Sequence, residues 1–166
     1  MVSNILYMKN KAAIISFCIC ISFLFGCKTP STSVAGNYNY KTECIDNKLN
    51  GIIVLKAWGK GINKKEAISQ AKKNALEALL FQGILDGKPN CDTKPLVTEV
   101  NAYERNQAYF DNFFSDKGDY MNFIDSNTSE KNAVIIPSEN KITIGIVVTV
   151  LQSKKKEKMV QDQIIK

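Results

Sequence analysis

The sequence contains no histidine. The residue most often used as a general base near neutral pH, and most often as a metal ligand, is therefore missing. A closed zinc site wants four nitrogen or sulfur ligands, and the cysteine spacing offers no such set. The phosphate-loop pattern G-x-x-x-x-G-K-[ST] is also absent, since the GKG of Gly59–Gly61 stands without the rest of it. Carboxylate pairs such as Asp111 with Asp116 leave glycan hydrolysis formally open. No catalytic residue, metal or cofactor is assigned, and the expectation is a protein that is not an enzyme. Prolines are few and no internal repeat is present, as in an ordinary globular chain of one domain.

Charge of one sign is not concentrated enough to choose a partner. The formal net charge is +6, and it falls to +4 once Lys9 and Lys11 are removed with the first twenty-six residues. Lysines gather over Lys56–Lys73 and Lys154–Lys166, whereas Glu99–Glu130 is acidic. Segregated signs of this kind read as solvated faces that partly neutralise one another. A nucleic-acid partner would need a coherent basic face, and none is expected.

The amino terminus carries a definite address. Lys9 and Lys11 precede AAIISFCICISFLFG, Ala12–Gly26, which bears no charge. Basic residues, a short apolar core and then a small residue form the layout of a secretory signal. The run falls short of the ~18–20 residues that a membrane-spanning helix needs. MKNK supplies a compact basic opening by itself, so Met8 is an alternative start to Met1. LFGC resembles the lipobox of bacterial lipoproteins, with Leu24 at −3, Gly26 at −1 and Cys27 at +1. Phe25 stands where a small residue is usual. The resemblance implies a diacylglycerol thioether on Cys27, cleavage before it and acylation of the new amino terminus. A thiolate is nucleophilic enough for that transfer under mild conditions. Cys18 and Cys20 lie inside the run and read as small apolar residues.

The expected organisation is a signal peptide over 1–26, a lipidated cysteine and flexible tether over 27–43, and one domain over 44–166. KTPSTSVAGNYN has little to bury and reaches roughly 20 Å as a random coil. Lys28 is not the aspartate that retains well-studied lipoproteins on the inner membrane. The expected location is therefore the bacterial outer membrane, lipid-anchored and facing the periplasm. Two unmodified cysteines remain after processing, Cys44 and Cys91, both read as loop residues, one before the first strand and one after the first helix. In an oxidising compartment they are expected to pair, with two inert free thiols as the alternative.

The domain itself reads as α+β. GIIVLKAWGKG opens with a strand in which Ile53, Leu55 and Ala57 face one way and Ile52, Val54, Lys56 and Trp58 the other. Asn63 then caps a helix with Glu66 three residues on, and Gly83 is expected to end it in the left-handed conformation, with Ile84 packing back on Leu79. Ala67, Ala71, Ala75 and Ala78 form a small-residue stripe that lets the helix lie close against a sheet. A second helix is expected near Glu99–Ser115. The aromatics Tyr109, Phe110, Phe113, Phe114, Tyr120 and Phe123 read either as core or as a platform for glycan or peptide. Asp111, Asp116 and Asp119 match no calcium loop and read as a solvated rim. NAVIIP and KITIGIVVTVL form a hairpin through PSEN. From Ser153 the chain forms either a docked helix edged by Met159, Val160 and Ile164 or a frayed basic tail. The architecture expected is a small antiparallel or mixed sheet with helices packed on one face.

A lipobox, a strand ending in G-x-G, an A-x-x-x-A-x-x-x-A helix, further strands and a closing helix resemble a group of small envelope lipoproteins. The group shares a domain among the flagellar T-ring assembly protein's amino-terminal part, the penicillin-binding-protein activator lipoproteins and TolB-like amino-terminal domains. The residues that carry the resemblance are Gly59, Gly61, Ala67, Ala71, Asn74, Ala75 and the Ile142–Leu151 strand. It implies an assembly or adaptor role through contact with an envelope protein, and it brings no catalytic residues. A glycan- or small-ligand-binding lipoprotein is the alternative. Exposed aromatics around Tyr120 would favour the binder, and an apolar patch on a sheet edge would favour the adaptor.

Overall fold

A computed structural model describes residues 41–48, 50–91, 93–126 and 128–165. The expected signal peptide, Cys27 and the expected tether as far as residue 40 lie outside the described residues. The chain has an α+β fold. Among the described residues five strands, β1 (Glu43–Lys48), β2 (Ile52–Gly61), β3 (Asp86–Gly87), β4 (Ser129–Pro137) and β5 (Ile142–Leu151), form one sheet in the order β3-β1-β2-β5-β4. All neighbours are antiparallel except β1 and β3, so the sheet is mixed. The helices are α1 (Lys64–Glu77), α2 (Ala102–Arg105), α3 (Gln107–Phe113) and α4 (Gln152–Gln161).

The centre of the sheet follows from alternation. Ile53, Leu55 and Ala57 on β2, with Ile144, Ile146, Val148 and Val150 on β5, are buried on the face that α1 covers. Ala67, Ala71 and Ala75 turn toward that face and are fully buried. They come close enough that a Cβ on Gly59 would lie 2.2 Å from both the Ala67 carbonyl oxygen and the Ala71 nitrogen. Only glycine permits that approach. The helix is also fastened along its length. Asn63 Oδ1 accepts from Glu66 N at 2.9 Å, Glu66 Oε2 accepts from Ile62 N at 3.1 Å, and Asn74 Nδ2 donates to the Trp58 carbonyl at 2.7 Å.

Several local expectations change. Cys44 lies within β1, a strand that the polar stretch ECIDNK does not announce, and it is buried. The first helix closes in a π turn over Ala78–Gln82, and Gly83 has φ 77° with ψ 167°, which is not the left-handed helical conformation. The cause is tertiary. Leu96 N and Val97 N donate to the Leu79 and Leu80 carbonyls at 3.1 and 2.9 Å, so the wider turn leaves those groups satisfied. Ile84 then pairs with Thr93 in a short bridge. The helix expected near Glu99–Ser115 is two short ones, α2 and α3, broken at Asn106. Its side chain donates to the Ala102 carbonyl at 2.9 Å, competing with the helical backbone. The closing segment is a docked helix with Met159 and Ile164 buried, while Val160 points outward.

Candidate functional site

Of the residues singled out above, Cys27 lies outside the described residues, and Cys44 and Cys91 come together. They are joined by a disulfide with Cα atoms 5.7 Å apart, linking β1 to the turn Pro89–Cys91. Both are buried, so the bridge is part of the core.

The aromatic segment is mostly interior. Phe110, Phe113, Tyr120 and Phe123 are buried, with Phe110 packed edge-on against Phe81 and Tyr109. Tyr120, whose exposure would have favoured a glycan platform, bonds Ser69 Oγ at 2.8 Å and has Lys73 Nζ 5.3 Å from its ring centre. The three aspartates go to separate partners. Asp111 accepts from Tyr103, and Asp116 pairs with Lys73 at 2.9 Å, whose hydrogen bond holds that carboxyl below the usual range. Among the described residues Asp119 accepts a side-chain hydrogen bond from Asn122 Nδ2 alone, at 3.1 Å.

Sequence reasoning missed Lys155. One of a run of lysines, it is nevertheless fully buried, because it stands four residues before Met159 on the same stripe of α4. That i, i+4 relation was the available signal. Its ammonium lies 3.6 Å from the Phe113 ring centre, 4.9 Å from that of Phe123 and 5.4 Å from that of Tyr109. Among the described residues the ammonium's one hydrogen bond goes to Tyr109 Oη at 3.4 Å, and Tyr109 in turn donates to Asp162 Oδ2 at 2.8 Å. The other oxygen of Asp162 accepts from Lys158. Desolvation lowers the Lys155 pKa from its ordinary value to about 8, and burial followed by the Asp162 bond raises that of Tyr109. The Lys158 bond is the main reason that the Asp162 carboxyl is lowered.

This chain of bonds borders a cleft of about 440 Å³ between three segments. Tyr109, Asn112 and Phe113 come from α3, and Asp119, Asn122 and Phe123 from the turn Asp119–Phe123. Lys158 on α4 and Asp162, just past its end, close it. Among the described residues no group of acids and thiols is arranged to hold a metal ion.

A second feature is the face of the sheet turned away from α1. Cross-strand partners share a face, so Ile52, Val54 and Trp58 lie beside Leu151, Thr149 and Gly145, with Val147 opposite Lys56 and Val134 opposite Gly145. A Cβ on Gly145 would meet the Trp58 indole at 2.7 Å, so the ring lies flat across β5. Lys56 Nζ is 5.0 Å from that ring's centre. Ile52, Val54, Val147 and Leu151 are half-buried, and at the β4 edge Val134 is 45% exposed, while Ile135 pairs with Ile144 and belongs to the α1 face. Antiparallel sheets with one solvated face usually turn polar residues outward. Here Ile52, Val54, Val147, Leu151 and Val134 on the outward side are apolar.

No family model, no curated protein and no solved structure matches this chain.

Proposed function

We propose that the protein is a bacterial envelope lipoprotein, anchored in the outer membrane through Cys27, that acts as a non-catalytic adaptor holding a protein partner near the membrane. The observation that carries the adaptor reading is the apolar outer face of the sheet, built from half-buried Ile52, Val54, Val147 and Leu151 and continued to the β4 edge by exposed Val134. Contiguous apolar surface of this kind marks interaction sites more often than solvated ones. The strand–helix unit of Gly59, Gly61, Ala67, Ala71, Asn74 and Ala75 supports kinship with the small envelope lipoproteins named above. The lipid anchor is supported by LFGC at the end of an uncharged run. More than one acyl chain is needed for firm anchoring, at roughly 0.8 kcal/mol per buried CH₂. A tether reaching roughly 20 Å then confines the domain to a thin layer and raises its effective concentration for a partner within reach.

The test is site-specific photo-cross-linking in cells from positions 54 and 134. Both should capture the same envelope protein, and Val147→Lys should abolish capture while leaving the thermal midpoint near that of the parent. Cys27→Ser should leave an unprocessed precursor. Release of the domain by a cleavable secretion signal should abolish function. If the soluble domain hydrolysed an envelope glycan, and one carboxylate substitution stopped it without unfolding the domain, the adaptor reading would be replaced.

A further inference from the structure

The cleft beside Lys155 is not used by the adaptor reading, and its chemistry is specific enough to name a ligand class. We propose that it binds a neutral, hydroxyl-rich ligand, a saccharide, through Asn112, Asp119 and Asn122 at its rim. The proposal is independent of whether the sheet face holds a protein partner.

The charges around the cleft cancel. Lys155 beneath the rings and Lys158 at the wall stand against Asp162 and Asp119. An anion would meet the Asp119 carboxylate, which has no cation within ion-pair distance among the described residues. A cation would seek the π faces of Phe113, Phe123 and Tyr109, but the chain's own ammonium already occupies them, 3.6 Å from the nearest ring centre. A purely apolar ligand would strip water from rim groups and return nothing to them. What remains is a ligand that binds by hydrogen bonds without net charge.

The rim has the groups for it. The Asn112 amide makes no side-chain hydrogen bond among the described residues, and Asn122 spends only its Nδ2 donor, on Asp119. An amide offers both donor and acceptor, a carboxylate offers acceptors only, and a hydroxyl can serve either. An Asn amide beside an Asp carboxylate therefore suits neighbouring hydroxyls, one accepting and one donating. Of the rings that line the cleft, Phe113 and Phe123 are buried, and half-buried Tyr109 supplies the apolar surface for the C–H face of a sugar ring. The volume lies within the range of small-molecule sites, about 300–1,000 Å³. Lys155 has a positioning role, holding Tyr109 from within so that its hydroxyl donates to Asp162.

The experiment uses the full chain, purified from membranes in a detergent without a sugar headgroup. N-acetylglucosamine, chitobiose and maltose are titrated while the side-chain amide NMR signals of Asn112 and Asn122 are followed. Sodium phosphate and putrescine serve as charged probes. The expected result is a saturable shift with at least one saccharide, with Kd on the order of 1 mM or tighter. Asp119→Ala and Asn112→Ala, both at exposed positions, should each weaken it by about tenfold with the thermal midpoint unchanged. Saturation by phosphate or putrescine with saccharides silent would overturn the proposal. Silence with every probe, or saccharide shifts that survive both substitutions, would do the same.

Discussion

Replacing Lys155 with Met should make the domain more stable near neutral pH, although it deletes a hydrogen bond and three ring contacts. The magnitude follows from the burial. Lys155 is fully buried, and desolvation takes its pKa from 10.5 to about 8. At about 1.4 kcal/mol per unit, holding the proton there costs the folded state about 3 kcal/mol. The ring contacts act in the opposite direction, on the order of 0.5–2 kcal/mol together. A methionine of similar length keeps the packing, so the net gain expected is about 1–2 kcal/mol. Between about pH 8 and 10.5 the unfolded chain holds this proton and the folded one does not, so parent stability from this group rises with pH. The advantage of Lys155→Met should therefore be full below pH 8 and shrink as the pH climbs through that window. Urea midpoints at constant m, read by far-UV circular dichroism for both proteins across that range, measure it. A variant less stable than the parent, by an amount that does not change with pH, would refute the reasoning and show that the aromatic cage outweighs desolvation.

Other substitutions test the packing and the crosslink. Gly59→Ala should cost about 3 kcal/mol or more, since the added carbon meets backbone atoms of α1 at 2.2 Å and neither side can give; the urea midpoint reports it. Gly145→Val should displace the indole of Trp58, the chain's one tryptophan, costing about 1–3 kcal/mol and shifting the emission maximum; an unchanged spectrum would mean that the ring does not lie across β5. Cys44→Ser with Cys91→Ser should lose about 4 kcal/mol, the chain-entropy value for a separation of 47 residues, measured as the difference in urea midpoint from the oxidised parent.

The parts of the fold that sequence patterns announced are those made by local rules. β2 and β5 alternate, Asn63 and Glu66 cap α1, and the alanine stripe meets glycines on the strand. What escaped was made by distant partners. β1 has few apolar residues and becomes a strand because β2 pairs with it from Glu43↔Lys56 to Lys48↔Ile52. The π turn exists because Leu96 and Val97, far along the chain, take its carbonyls. The break at Asn106 depends on which carbonyl one side chain reaches, and Asn in a polar helix does not reveal that beforehand.

The two candidate surfaces differ in the same way. The outer sheet face was visible as an unusually apolar second set of alternating positions, Ile52, Val54 and Trp58, because a strand displays both its faces in sequence. The cleft was hidden, because it needs α3, the turn Asp119–Phe123 and α4 to converge. Its sign within a single element was a lysine in register with Met159. A core selected for stability alone would put a methionine or leucine at that position, since among the described residues no carboxylate pairs directly with the ammonium. Departures from local rules gather where function requires them. Lys155 is such a departure: it packs on core rings, Phe113 and Phe123, and bonds a hydroxyl, that of Tyr109, on a residue lining the cleft, so under the saccharide proposal one side chain serves both.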